Sequence, residues 1–99
     1  MQINVSTRHG DLSDAAKQKI VEKIEGLEKF IERLSRIDVT VDLEKAEEPK
    51  VDLIAVTELK KEFKTSYQSK DLFGCVDQIV DKMQQQMKKF KEKLTDHQK

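Results

Sequence analysis

The interval between apolar side chains changes three times along this chain, from two residues to three or four, back to two, and again to three or four. A period of two puts alternate side chains on one face of a strand, and a period near 3.6 puts them along one stripe of a helix. Ile3, Val5 and Thr7 alternate with polar neighbours over Gln2 to Thr7, and His9-Gly10-Asp11 ends that strand. Ser13 and Asp14 then offer an N-cap and a first-turn acid. Ala16, Ile20, Ile24, Leu27, Ile31 and Leu34 follow at helical steps, predicting a first helix of about five or six turns.

Ile37, Val39, Val41 and Leu43 form the clearest strand, since β-branched residues suit a half-buried pleated face. After a polar connection from Lys45 to Pro49, two more strands are expected, Lys50 to Thr57 and a run in which Phe63, Thr65 and Tyr67 alternate with polar residues. Glu58-Leu59-Lys60-Lys61 between them lacks the glycine signal of a tight hairpin, so the register there is open. Ser69 is the expected N-cap of a second helix, whose stripe is Leu72, Val76, Ile79, Met83, Met87, Phe90 and Leu94. Asp71 at its start and lysines toward its end both favour the helix dipole.

The order β-α-β-β-β-α predicts an α/β (α+β) fold, a four-stranded mixed sheet with two helices packed on one face, because that arrangement buries every stripe at once. The first helix links parallel neighbours and the later strands form an antiparallel meander. With 99 residues, a single domain over 1–99 must commit nearly all its apolar side chains to one core, which leaves little room for a deep substrate cavity. Cys75 is the only cysteine, so no intrachain disulfide can form, and no apolar run approaches a membrane span. Cytoplasm is the default location, with no membrane partner expected.

Catalysis finds little support. His9 and His97 are far apart with no ligand cluster in sequence, so no metal site is expected, and Cys75 has no histidine nearby. Neither a glycine-rich phosphate loop nor a nucleophile elbow is present. The acids of the first helix interleave with basic residues, the ordinary pattern of intrahelical pairing. No enzyme activity, cofactor or small-molecule substrate is expected.

Charge says more. Lys and Arg equal Asp and Glu at 19 each, yet residues 1–49 carry net −3 and residues 50–99 net +3. At 100° per residue, Lys82, Gln86, Lys89 and Lys93 fall along one flank of the second helix, and Lys19, Lys23 and Arg33 along a flank of the first. If those flanks face each other they form a basic groove suited to a phosphate backbone. A charged helix with a solvated face is the plainer reading of the same lysines.

The segment Lys70-Asp71-Leu72-Phe73-Gly74-Cys75-Val76-Asp77-Gln78-Ile79-Val80-Asp81-Lys82-Met83, continuing through Gln86, Lys89, Lys91 and Lys93, resembles the second helix of the hibernation-promoting factor and ribosome-associated inhibitor family. Met1-Gln2-Ile3-Asn4-Val5 looks like that family's first strand, and Leu27-Glu28-Lys29-Phe30 like a stretch of its first helix. The likeness runs the length of the chain, in order, and is most similar to the short form. It implies a partner, the small ribosomal subunit and its rRNA, bound in the mRNA and tRNA channel so that translation is blocked by exclusion. Carried over by position, Arg8, Lys23, Lys29, Lys82, Lys89, Lys91 and Lys93 are the implied rRNA contacts. Gly26 stands where the family often has Lys and Gln85 where it has Arg, and Phe73 in the family's Tyr position reads as core packing rather than a stacking platform. With its zero net charge, the chain also suits an alternative, a protein-interaction module on the same fold with weak or no ribosome binding.

Overall fold

The computed structural model describes residues 2–29, 34–58 and 61–97, with side chains over 2–27, 34–58 and 61–90. Four strands, β1 (Gln2–Arg8), β2 (Leu34–Asp42), β3 (Lys50–Thr57) and β4 (Glu62–Gln68), join two helices, α1 (Asp14–Glu25) and α2 (Leu72–His97), in the order β-α-β-β-β-α. The sheet runs β1-β2-β3-β4, with β1 parallel to β2 and the other pairs antiparallel. This is the fold the apolar periods predict.

Alternation sorts the sheet into two faces. Ile37, Val39 and Val41 of β2, Val51, Leu53 and Ala55 of β3 and Phe63 of β4 are buried beneath the helices with Ile20, Ile24, Leu27, Cys75, Val76, Ile79, Met83 and Met87. The opposite face carries cross-strand rows, Asn4-Asp38-Ile54-Lys64 and Ser6-Thr40-Asp52-Ser66 among them. It stays open to solvent, which an antiparallel meander tolerates because one face alone can hold the core.

Ser13 caps α1 as expected, its Oγ accepting from Ala16 N at 3.1 Å. The helix is shorter than its stripe predicts. It ends at Glu25 and passes into a 3-10 turn over Gly26–Lys29, while Leu34 opens β2 instead of closing the helix. Ile31 and Arg33 lie outside the described residues. Leu34 is drawn into the helical stripe by its three-residue step from Ile31, and a register shift between Leu34 and Arg36 leaves it buried out of alternation with Ile37, so it does not read as strand.

The cap of α2 is also corrected. Asp71 O accepts the first helical bond from Cys75 N at 2.8 Å, so Asp71 occupies the cap and Ser69 stands two residues outside it, its Oγ accepting from Asp71 N. Beside this cap, a Cβ at Gly74 would lie 2.9 Å from the Asp71 carboxylate, a contact that rotation of that side chain would relieve. The open register between β3 and β4 is set by an exchange in which Thr57 N donates to Lys61 O at 3.0 Å and Lys61 N donates to Thr57 Oγ1 at 3.1 Å.

Candidate nucleic-acid interface

The buried stripe of α2 divides that helix into two flanks, and the fold gives each a different neighbour. One flank meets α1. There the Lys19 ammonium lies 4.3 Å from the Phe73 ring centroid and Lys23 Nζ donates to Asp77 Oδ1 at 2.7 Å. The other flank lies over the β4 edge. There Lys82 Nζ donates to Ser66 O at 3.4 Å and sits 4.8 Å from the Tyr67 ring centroid, and Gln86 Nε2 donates to Lys64 O at 3.1 Å.

This geometry corrects the expected groove. The Lys82 flank turns away from α1 toward β4, so the basic flanks of the two helices do not face one another, and the seam between the helices is closed by a cation over a ring and by an ion pair. A lysine neutralised by a carboxylate at 2.7 Å gives a polyanion less to bind. Phe73 is half-buried against the core, as expected, with Lys19 across its face.

Of the carried-over residues whose side chains are described, Lys82 and Lys89 lie together, and Lys23 and Arg8 lie elsewhere. Lys82 and Lys89 share the β4 flank of α2, both exposed, with no carboxylate within ion-pair distance among the described residues. Lys23 is held in the seam. Arg8 ends β1, exposed on the open face, where it lines one shallow depression with Thr40, Asp52, Lys64 and Ser66. The side chains of Lys29, Lys91 and Lys93 lie outside those described.

The fold adds cations that sequence reasoning missed. Lys61 precedes β4 with its ammonium 5.7 Å from the Phe90 centroid, and Lys64, on β4, is exposed and 3.6 Å from Glu62. With Lys82 and Lys89 they border the same edge. Nothing in the sequence announces that β4 and α2 are neighbours. Only the alternation of β4, which puts Phe63 inward under Phe90 with centroids 5.4 Å apart, could have placed Lys61 there.

Lys82 is ordered for contact. Its stem lies across Tyr67 and one of its three donors is used on a carbonyl, leaving two that can address an anion from a side chain whose freedom is already reduced.

A second cluster lies at the far edge. His9, at φ 60°, places Nδ1 2.9 Å from Asp42 Oδ1, and with Glu44 the three offer ligand atoms mutually within 4.8 Å. The Glu44 backbone N–H, then the His9 ring, hold the Asp42 carboxyl below its ordinary range. Sequence reading expected no metal-ligand cluster, because these residues meet only through the pairing of β1 with β2.

A family model described as sigma 54 modulation protein / S30EA ribosomal protein matches residues 3–95. Among curated proteins, the chain is 29% identical over 98 residues to a ribosome hibernation promoting factor of Azotobacter vinelandii, covering 99% of this chain and 90% of that one. It is 25% identical over 97 residues to the protein of that name from Escherichia coli, covering 98% and 100%. Its fold matches a ribosomal subunit interface protein from Coxiella burnetii with TM-score 0.83 at 21% identity, covering 93% of this chain and 99% of that one. It also matches the N-terminal domain of Protein Y from Thermus thermophilus, with TM-score 0.79 at 20% identity over 91% of this chain and 99% of that one. With the match running over all six elements, the chain belongs to the sigma 54 modulation protein / S30EA ribosomal protein family.

Proposed function

We propose that the protein is a ribosome hibernation factor that binds the small ribosomal subunit in the mRNA and tRNA channel and prevents translation by occupying it. Family membership and the names of the curated relatives support a ribosomal partner. The observation that carries the reading on this chain is the exposed cationic flank of α2 beside β4, where Lys82 and Lys89 stand without carboxylate partners among the described residues. Lys61 and Lys64 extend it onto the sheet edge. Such a flank grips phosphates by charge and shape and reads little sequence, which suits a folded RNA surface. Blocking a channel asks for no bond to be made or broken.

The rRNA contacts in this reading are Lys82, Lys89, Lys91 and Lys93 along α2, with Lys29, Arg8 and the partly neutralised Lys23 as further cations. Co-sedimentation with ribosomes across a salt series tests it. Changing Lys82, Lys89 and Lys93 together to Glu should abolish co-sedimentation at moderate salt while far-UV circular dichroism stays the same. Each phosphate contact contributes roughly 0.7 to 0.9 to the slope of log affinity against log salt, so three lost contacts flatten it by about two to three. Unchanged binding would remove this flank from the account.

The Lys23–Asp77 pair favours a second reading, a protein-interaction module on the same fold, because it withdraws a cation from any polyanion. An RNA-independent pull-down of a protein partner, without a ribosome signal at moderate salt, would select that reading.

A further inference from the structure

The two edges of the sheet are treated differently by the fold. On β4, the outward carbonyls of Lys64 and Ser66 are capped by Gln86 and Lys82, and the charged Glu62 and Lys64 stand on the strand. These are ordinary devices for keeping an edge from pairing with another strand. On β1 no such cap is found among the described residues, and the strand's one charge, Arg8, stands at its end. Arg8 O accepts from Leu43 N at 2.9 Å, so the backbone of Arg8 points toward β2, and by alternation so do those of Ser6, Asn4 and Gln2. The N–H and C=O groups of Ile3, Val5 and Thr7 therefore point away from the sheet, and among the described residues none of them has a partner. No charged residue occurs from Gln2 to Thr7. Ile3 and Val5, though on the helix-covered face and packed against the core, are only partly buried.

We infer that β1 pairs antiparallel with β1 of a second copy of this chain, Val5 opposite Val5, to make one continuous eight-stranded sheet. The occupant follows from the strand's own sequence. About a two-fold axis, opposed residues must have a constant sum of numbers, and a sum of 10 is the register that engages Ile3, Val5 and Thr7 of both copies together. Each of the pairs 3 with 7, 5 with 5 and 7 with 3 then exchanges two backbone bonds. The same register places Asn4 opposite Ser6 and Gln2 opposite Arg8 on the open face, and keeps the two Arg8 side chains at opposite ends of the seam. On the helix face, Ile3 and Val5 of one copy cover the exposed parts of those of the other. The β4 flanks are left free at the two outer edges, so this inference does not depend on the proposed ribosomal role.

A seven-residue edge is small beside the roughly 1,600 Å² of a standard stable interface, so association should be weak and dependent on concentration. Sedimentation velocity from about 10 µM to about 1 mM, a range chosen for such a small interface, should show the weight-average mass rising toward that of a dimer. In Val5→Pro the outward donor is lost while the β1–β2 ladder is kept, since a proline is tolerated where the N–H faces solvent. That variant should stay monomeric throughout with unchanged circular dichroism. Gln2→Glu puts a carboxylate opposite the other copy's Arg8 and should tighten association several-fold at low salt, whereas Gln2→Lys should loosen it. A wild-type chain that is monomeric over the whole range, including one that captures only strands of other proteins, overturns the inference. So does self-association that Val5→Pro leaves intact. If Val5→Pro fails to fold, the two Gln2 variants decide: shifts of opposite sign establish the pairing, and shifts of the same sign or none refute it.

Discussion

The two flanks of α2 are built from different residues and do different work: Phe73 and Asp77 meet lysines of α1, whereas Lys82, Gln86 and Lys89 lie toward β4. Toward α1, cations are matched: Lys23 has Asp77 and Lys19 has the face of Phe73. Toward β4, cations are positioned and left available: Lys82 is steadied by Tyr67 and a carbonyl, and neither it nor Lys89 meets a carboxylate among the described residues. A lysine's role in this fold therefore depends on which neighbour its helix flank meets. That in turn depends on the sheet order, which sets α2 across β3 and β4 with α1 at its other side.

The largest test of the comparison attacks the stripe from which both flanks hang. Ile79 is fully buried at the middle of that stripe, and Ile79→Ala should cost about 2 to 5 kcal/mol through lost burial and the cavity left behind. Urea unfolding measures it. Because the positions of both flanks rest on this packing, ribosome binding should fall with the folded fraction and recover at a temperature where the variant is folded. Binding lost while the variant is still fully folded would mean that the stripe positions the cations more tightly than simple packing requires.

How much of this was legible in the sequence differs between the same two regions. β3 and β4 have the limits their alternation predicts, Lys50–Thr57 and Glu62–Gln68, because each has one wet and one buried face. The α2 stripe was legible for the same reason. The end of α1 was not, since Leu34 continues the helical step from Ile31 and the bulge beside it removes Leu34 from the alternation that would mark it as strand. The site was legible by half. Lys82 and Lys89 share a flank by helical arithmetic alone, but which way that flank faces is a tertiary fact, as is the choice of Asp77 over solvent as the partner of Lys23. Lys61 and Lys64 joined the edge only when β4 was seen beneath α2.

A smaller effect sharpens the comparison from the α1 side. Gly26 follows α1 with φ −61° and ψ −19°, an ordinary right-handed conformation, and a Cβ there would meet nothing within 4 Å. The glycine is thus neither conformationally nor sterically required. Gly26→Ala should stabilise the fold by about 0.4 to 1 kcal/mol, chiefly by restricting the unfolded chain. Gly26→Lys should keep most of that gain and add a cation to the α1 end. Denaturant titration of both variants checks the stability. Tighter ribosome binding by the lysine variant alone would show that the polyanion reaches α1, and equal binding would confine it to the β4 flank.

The smallest effect on stability is expected where the flanks differ most. In the Lys23–Asp77 pair the aspartate side chain is 59% exposed, so the pair is largely solvated and Asp77→Asn should destabilise by no more than about 1 kcal/mol. Its effect on binding should be easier to see. Without its carboxylate, the Lys23 ammonium is released at the mouth of the seam and the local charge rises by one. If Lys23 is an rRNA contact, the slope of log affinity against log salt steepens by up to roughly 0.9. A variant with unaltered slope and unaltered stability would show that the seam is neutral by construction and stays away from the polyanion, leaving the β4 flank as the surface of α2 that meets RNA. The same substitution made together with Lys82→Glu separates the outcomes. If the two flanks address one RNA surface, releasing Lys23 should partly restore what Lys82→Glu removes.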